Sequence, residues 1–132
     1  MKKRKIGKHL LIIEMTDVDY WGRVDINNNL IIESSTTIDG LKKKIKKAAE
    51  RIEKIYIDSF DISYDLTAFF EQYCYLNISN IAKRANISPL LMRQYSAGIK
   101  FPSEKRVKEI EVAIKEIGRE LSKVKLHKRE IV

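Results

Sequence analysis

Residues 76–103 read LNISNIAKRANISPLLMRQYSAGIKFPS, and this stretch decides the reading of the second half of the chain. Asn77 can cap a helix over residues 78–85, because its side-chain oxygen accepts from an N–H of the first turn. Ile81 and Ala82 fall on the inward side of that helix, and a residue as small as alanine lets a second helix come close. Asn86-Ile87-Ser88 is a short connection whose Ile87 fills the core. Ser88 caps the next helix, and Pro89 stands at its first position, where a missing N–H costs nothing. Met92 and Tyr95, three apart, form the buried stripe of a helix over residues 89–97. Gly98 ends it, as a residue that readily adopts positive φ.

Helices are also expected on either side, over residues 67–75 and 103–124. The last has apolar residues at Val107, Ile110, Ile114, Ile117, Leu121 and Val124, the 3-4 spacing of one helical face. Leu121 and Val124 reach past what a small helical core needs, which makes that end a candidate dimer contact.

The first half has a different period. Residues 9–15 are a Leu- and Ile-rich strand. Residues 20–26 alternate, with Tyr20, Gly22, Val24 and Ile26 on one face and Trp21, Arg23 and Asp25 on the other. Asn27-Asn28-Asn29 signals a tight turn, since asparagine tolerates positive φ. Residues 30–34 make a third strand, so an antiparallel meander is expected. Thr36 or Thr37 can then cap a helix with Ile38, Leu41, Ile45, Ala48, Ile52 and Ile55 on one face. Residues 56–64 alternate again as a fourth strand. The expected organisation is α+β, with a small antiparallel sheet and one amphipathic helix over residues 1–65 and an all-helical domain over residues 66–132.

The chain has 132 residues, 44% of them apolar and 33% charged, with five Gly and two Pro, which excludes a disordered or collagen-like polymer. One cysteine excludes a disulfide framework and a multi-cysteine zinc site. The longest apolar run, residues 10–13, is far too short for a membrane span. It lacks a cleavage signal and is followed at once by Glu14, so a cytoplasmic, reducing compartment is expected.

The net charge of +8 favours polyanion partners. Basic residues concentrate in three places: residues 2–8, the five lysines of residues 42–47, and residues 83–108. The lysines at 42–47 fit the solvated face of the amphipathic helix. The residue 2–8 cluster is a candidate basic arm for a minor groove.

The pattern of residues 76–103 resembles the Cro/lambda-repressor type of helix-turn-helix. Together with the order strand–strand–strand–helix–strand before it, the chain resembles the HicB antitoxin family, which joins a partial ribonuclease-H-like domain to such a DNA-binding tail. The resemblance implies that the helix at 89–97 lies in the major groove of an operator. Its outward residues are Pro89, Leu90, Arg93, Gln94 and, near the end, Ala97. Arg93 suits a bidentate contact to guanine, Gln94 one to adenine, and Leu90 a thymine methyl. Lys83, Arg84, Lys100, Lys105 and Arg106 would neutralise phosphates. Ile78 stands where the family often has a polar, phosphate-facing residue, so either Ile78 packs inward or the backbone contact falls to Asn77 and Ser79 instead, with Ser88 at the start of the second helix.

The resemblance also implies a small basic HicA-like toxin as partner of the sheet domain, with Glu14, Asp17, Asp19, Asp25 and Glu33 as candidate acidic contacts. A homodimer or higher homo-oligomer on double-stranded DNA would require half-sites about 34–36 Å apart or a multiple of that. A stand-alone dimeric repressor without a toxin is the alternative reading. A minimal metal-dependent nuclease is a remote one, since two-metal chemistry needs several converging carboxylates. Glu14 with Asp58 or Asp61 offers a start, but the further acids on the helix face toward them, Glu50 or Glu53, belong to a lysine-rich region. No catalytic residue, metal site or cofactor is expected. His9 and His127 lack partners at ligand spacing. Cys74, among Phe69, Phe70, Tyr73 and Tyr75, reads as a small core residue.

Overall fold

A computed structural model of the chain describes residues 4–131, with only the backbone described for residues 4–7. Among the described residues it is a mixed α+β protein with one four-stranded sheet and five helices. It divides into two compact units, the first ending at Cys74 and the second beginning at Tyr75.

In the first unit, Asn27 and Asn28 both have positive φ, 52° and 66°. That is the backbone a two-residue hairpin turn requires, and asparagine adopts it at little cost. The turn joins β2 (Asp19–Ile26) to β3 (Asn29–Ser35), and β2 pairs antiparallel with β1 (Arg4–Thr16). Strict alternation along β2 buries Tyr20, Gly22, Val24 and Ile26 and turns Trp21, Arg23 and Asp25 outward. The expected strand at residues 9–15 is longer than its apolar run. Its first residues, including Arg4 to Lys8 of the expected basic arm, form backbone pairs in the sheet, while Lys2 and Lys3 lie outside the described residues.

α1 (Ile38–Glu53) starts at Thr37, whose hydroxyl accepts from the N–H of Gly40 at 3.0 Å. It buries Ile38, Leu41, Ile45, Ala48 and Ala49 on the sheet. The expected helical face ran on to Ile55, but the helix ends at Lys54, which takes a left-handed φ of 57°. Ile55 instead begins β4 (Ile55–Tyr64), and Ile52 is left exposed.

β4 runs parallel to β1, giving the order β3-β2-β1-β4. The sheet is therefore mixed rather than wholly antiparallel. A helix inserted between two strands carries the chain back along the sheet, so the next strand can run parallel to an earlier one. Gly22 allows the closest approach of α1. A Cβ built there would lie 2.8 Å from Leu41 Cδ2 and 3.0 Å from Leu11 Cδ1.

α2 (Leu66–Gln72) belongs to this first unit, so the boundary falls nine residues later than the expected one at 65/66. Its Ala68 joins the core of the sheet, and Phe69 packs edge-on against Tyr64 at 6.4 Å between ring centres. Burial and the nearby Tyr73 push the Tyr64 hydroxyl up to about 12. Cys74 lies beyond the helix end and is exposed, which corrects its reading as a core residue. Of its aromatic neighbours in sequence, Phe69 and Tyr73 pack on Tyr64 instead.

Asp65 caps α2, accepting from the N–H of Ala68 at 2.8 Å. Desolvation raises its carboxyl above the ordinary 3.8, outweighing the N–H of Ala68 that lowers it. A carboxyl raised in the folded state stabilises the fold below its unfolded value and loses that contribution as pH rises through the folded one. Asp65→Asn keeps an acceptor for the cap and removes the buried charge. Thermal melts at pH 4 and 7 should show it at least as stable as the parent at pH 7, with a weaker pH dependence. Asp65→Ala should lose about 1 kcal/mol through the missing cap. Equal pH profiles for parent and Asp65→Asn would remove the desolvation account.

In the second unit, α3 (Ile78–Arg84), α4 (Pro89–Ser96) and α5 (Glu104–Ser122) surround a small core of Ile81, Ala82, Ile87, Met92, Tyr95, Ile110 and Ala113. The apolar face expected along α5 is buried only in its middle. Val107 is 40% exposed, Leu121 is exposed, and Val124 lies past the helix end. Ala113 takes the second buried position, because a small residue sits where α5 packs against its neighbours.

Candidate nucleic-acid interface

The connection from α3 to α4 is built by backbone hydrogen bonds that the residues make easy. Asn86 has φ 59°, and its N–H donates to Lys83 O at 3.1 Å while that of Ile87 donates to Ala82 O at 2.9 Å. This pair of bonds is the Schellman ending, here with asparagine in the left-handed position usually held by glycine. Ile87 is thereby turned into the core. Ser88 then caps α4, its hydroxyl accepting from Leu91 N–H at 3.1 Å, with Pro89 at the first helical position. α4 ends the same way, with Gly98 at φ 74°, Ile99 N–H on Gln94 O at 2.9 Å and Gly98 N–H on Tyr95 O at 3.2 Å. Both ends of α4 are thus held rigidly by local bonds.

With Met92 and Tyr95 buried, α4 presents Leu90 (62% exposed) and Arg93 to solvent, with Pro89 and Gln94 half-buried beside them. Arg93 does not wave freely. Its Nη1 donates to Ser79 Oγ at 3.2 Å, so α3 props the guanidinium while most of its five donors stay available. The sequence reading placed Ser79 on a phosphate and Arg93 on a base; the structure brings the two together. Asn77 caps α3, accepting from Asn80 N–H at 3.0 Å.

The cations divide into two groups. Arg84 forms a two-pronged ion pair with Glu120 of α5, its Nη1 on Oε1 at 2.9 Å and Nη2 on Oε2 at 2.5 Å. The pairing holds the Glu120 carboxyl below its usual range and raises the guanidinium. Arg106 lies 4.0 Å from Glu109. Arg84 is therefore a clamp between α3 and α5 before it is a phosphate contact. Lys83, Lys100 and Lys105 are exposed and, among the described residues, make no ion pair.

Two side chains escaped the sequence reading. Ile99 and Phe101 bracket Lys100 and are 69% and 75% exposed. Their signal was available: apolar residues in a connection that fit no helical period have no core to enter.

In the first unit, Glu14 is paired with Arg23, and Asp61 lies 3.5 Å from Lys8. Among the described residues, no three His, Cys, Asp or Glu side chains are grouped to hold a metal ion. No described helix is long and apolar enough to cross a membrane. Alternation places Glu14, Asp19 and Asp25 on the face of the sheet away from α1, together with Leu10, Ile12, Trp21, Leu30 and Ile32. Asp17 stands in the β1–β2 turn with φ 52°, and Glu33 on the α1 side near the β3 edge. No family model, curated protein or solved structure matches the chain.

Proposed function

We propose that this chain is a sequence-specific DNA-binding repressor, with α3 and α4 acting as a helix-turn-helix. The observation that carries this reading is α4: fixed at both ends, buried through Met92 and Tyr95, and presenting Leu90, Gln94 and a propped Arg93 outward. A helix held this way can enter the major groove as a rigid unit. Lys83, Lys100 and Lys105 supply charge for phosphates.

The test is fluorescence anisotropy on a duplex from the gene's own upstream region and on a scrambled duplex, at two salt concentrations. Specific binding should favour the first by about a thousandfold or more. Equal binding to both, fading steeply with salt, would reduce the interaction to net charge. Arg93→Ala should cost about 1–3 kcal/mol on the upstream duplex and much less on the scrambled one. Equal weakening on both would remove Arg93 from base reading.

We further propose that the first unit is a partial ribonuclease-H-like domain that serves as a docking module, so that the chain is the antitoxin of a HicA/HicB-type pair in the cytoplasm. The open sheet face supports this, with apolar Leu10, Ile12, Trp21, Leu30 and Ile32 interleaved with Glu14, Asp19 and Asp25. Exposed apolar patches ringed by charge mark protein-binding surfaces. Co-purification with the product of a small neighbouring open reading frame, lost on Trp21→Glu, tests it; retention by that variant moves the contact elsewhere. Leu121 in the last turn of α5 and Val124 just past it are exposed and favour a dimer, which sedimentation of the full chain would register.

A further inference from the structure

From Lys43 onward the outward face of α1 is predominantly positive. Lys43, Lys44, Lys47, Arg51 and Lys54 are all exposed. Lys43, Lys47 and Arg51 stand four residues apart, so they line up along the helix in steps of about 6 Å. Among the described residues these three make no ion pair. Their neighbours are engaged differently: Lys44 donates to Ser34 O at 2.6 Å, and Lys46 lies 5.9 Å from the ring centre of Phe60. Of the acids of α1, Asp39 heads the row in the first turn, four residues before Lys43, while Glu50 is half-buried and Glu53 accepts from Asn29 at 2.7 Å.

α5 shows what a merely solvated helix face looks like in the same chain. Its exposed charges alternate in sign and pair along the helix, Glu104 with Lys108, Glu111 with Lys115 and Arg106 with Glu109. α1 does the opposite. Like charges four apart repel one another and oppose the helix that holds them. A row of anions laid along the face would turn that repulsion into attraction.

We propose that this face, centred on Lys43, Lys47 and Arg51, binds the phosphate backbone of duplex DNA without regard to sequence. The proposal rests on the reading of the chain as a DNA-binding protein and adds to it a second contact, in the first unit and outside α3 and α4. Cations along a helix release the counterions condensed on a duplex, and phosphate contacts of this kind carry no base information. The apolar side of α1 is packed on the sheet, with only Ile52 left exposed, so the helix has little to insert into a membrane.

The test compares the full chain with a triple variant, Lys43→Gln, Lys47→Gln and Arg51→Gln, by anisotropy on the upstream and scrambled duplexes between about 50 and 200 mM salt. The variant should lose about 2–3 units of the slope of log affinity against log salt on both duplexes, and about tenfold or more in affinity at the lower salt. The ratio between the two duplexes should stay as in the parent. An unchanged slope with affinities within about twofold overturns the proposal. A parent that binds both duplexes equally sinks the repressor reading alone, because the slope change is still read on the scrambled duplex. Failure to bind either duplex overturns both. Weakened binding to phosphatidylserine-rich vesicles with an unchanged DNA slope assigns the face to membranes and overturns the proposal as well. Matching far-UV circular dichroism shows that the exposed substitutions leave the fold in place.

Discussion

Met92→Ala is expected to destabilise the helical unit by about 2–5 kcal/mol. Met92 is fully buried, and among the described residues of its unit the other buried side chains are Ile81, Ala82, Ile87, Tyr95, Ile110 and Ala113. Two of those are alanines, whose short side chains cannot reach into the gap. A loss of that size is a large part of the roughly 5–15 kcal/mol that holds a whole domain. The sheet unit has its own core around Leu11, Ile13, Leu41 and Ile45. Amide exchange should therefore show α3, α4 and α5 losing protection while β1 to β4 keep theirs, and the specific DNA binding we propose should disappear with the helices. Met92→Leu conserves volume and should lose less than about 1.5 kcal/mol. Protection lost equally in both units on Met92→Ala would mean that they unfold as one body and would sink this account.

Leu41→Ala is the counterpart in the first unit, again with an expected loss of about 2–5 kcal/mol. Leu41 is fully buried where α1 crosses β2, and its Cδ2 occupies the space next to Gly22. Gly22→Ala alone should cost about 1–3 kcal/mol, because the new methyl group is pressed at once by Leu41, Leu11 and Ile45. The two changes should not add. With Leu41 shortened, the Gly22→Ala methyl enters the vacated space, so the double variant should be more stable than the sum of the singles predicts. Urea denaturation of the four proteins gives the coupling. Strict additivity would show that Gly22 and Leu41 do not compete for the same volume.

How much of this was readable beforehand depended on how far along the chain each cause lies. The strand at Tyr20 to Ile26, the hairpin at Asn27-Asn28, the cap at Ser88 with Pro89, and the ends of α3 and α4 all rest on neighbours within five residues. Those features stand where the residue pattern puts them. Ile55 was misplaced because its spacing continues the α1 stripe, while the left-handed Lys54 that breaks the helix has no glycine to announce it. The parallel placement of β4 depends on pairing with residues about fifty positions earlier, which no local pattern records. Within the candidate interface, Leu90, Arg93 and Gln94 were legible from the buried pair they alternate with. The Arg84–Glu120 clamp was not, because thirty-six residues separate its partners and an exposed arginine looks the same with or without one. Nor was the prop from Ser79 to Arg93, which exists only once α3 and α4 are docked.

The parallel pairing of β1 with β4 also sets a timetable. β1, β2 and β3 meet through short turns and can associate as soon as they leave the ribosome, but the far edge of β1 has no partner until residues 55–64 have been made. At about 5–20 residues per second that interval lasts several seconds. For its duration Leu11 and Ile13 sit on a thirteen-residue strand with one edge open, and α1 has only part of its sheet to cover. An open apolar edge recruits other strands. The nascent chain is thus most exposed to misassociation in the middle of its synthesis, and closure by β4 ends that exposure before the helical unit has been made.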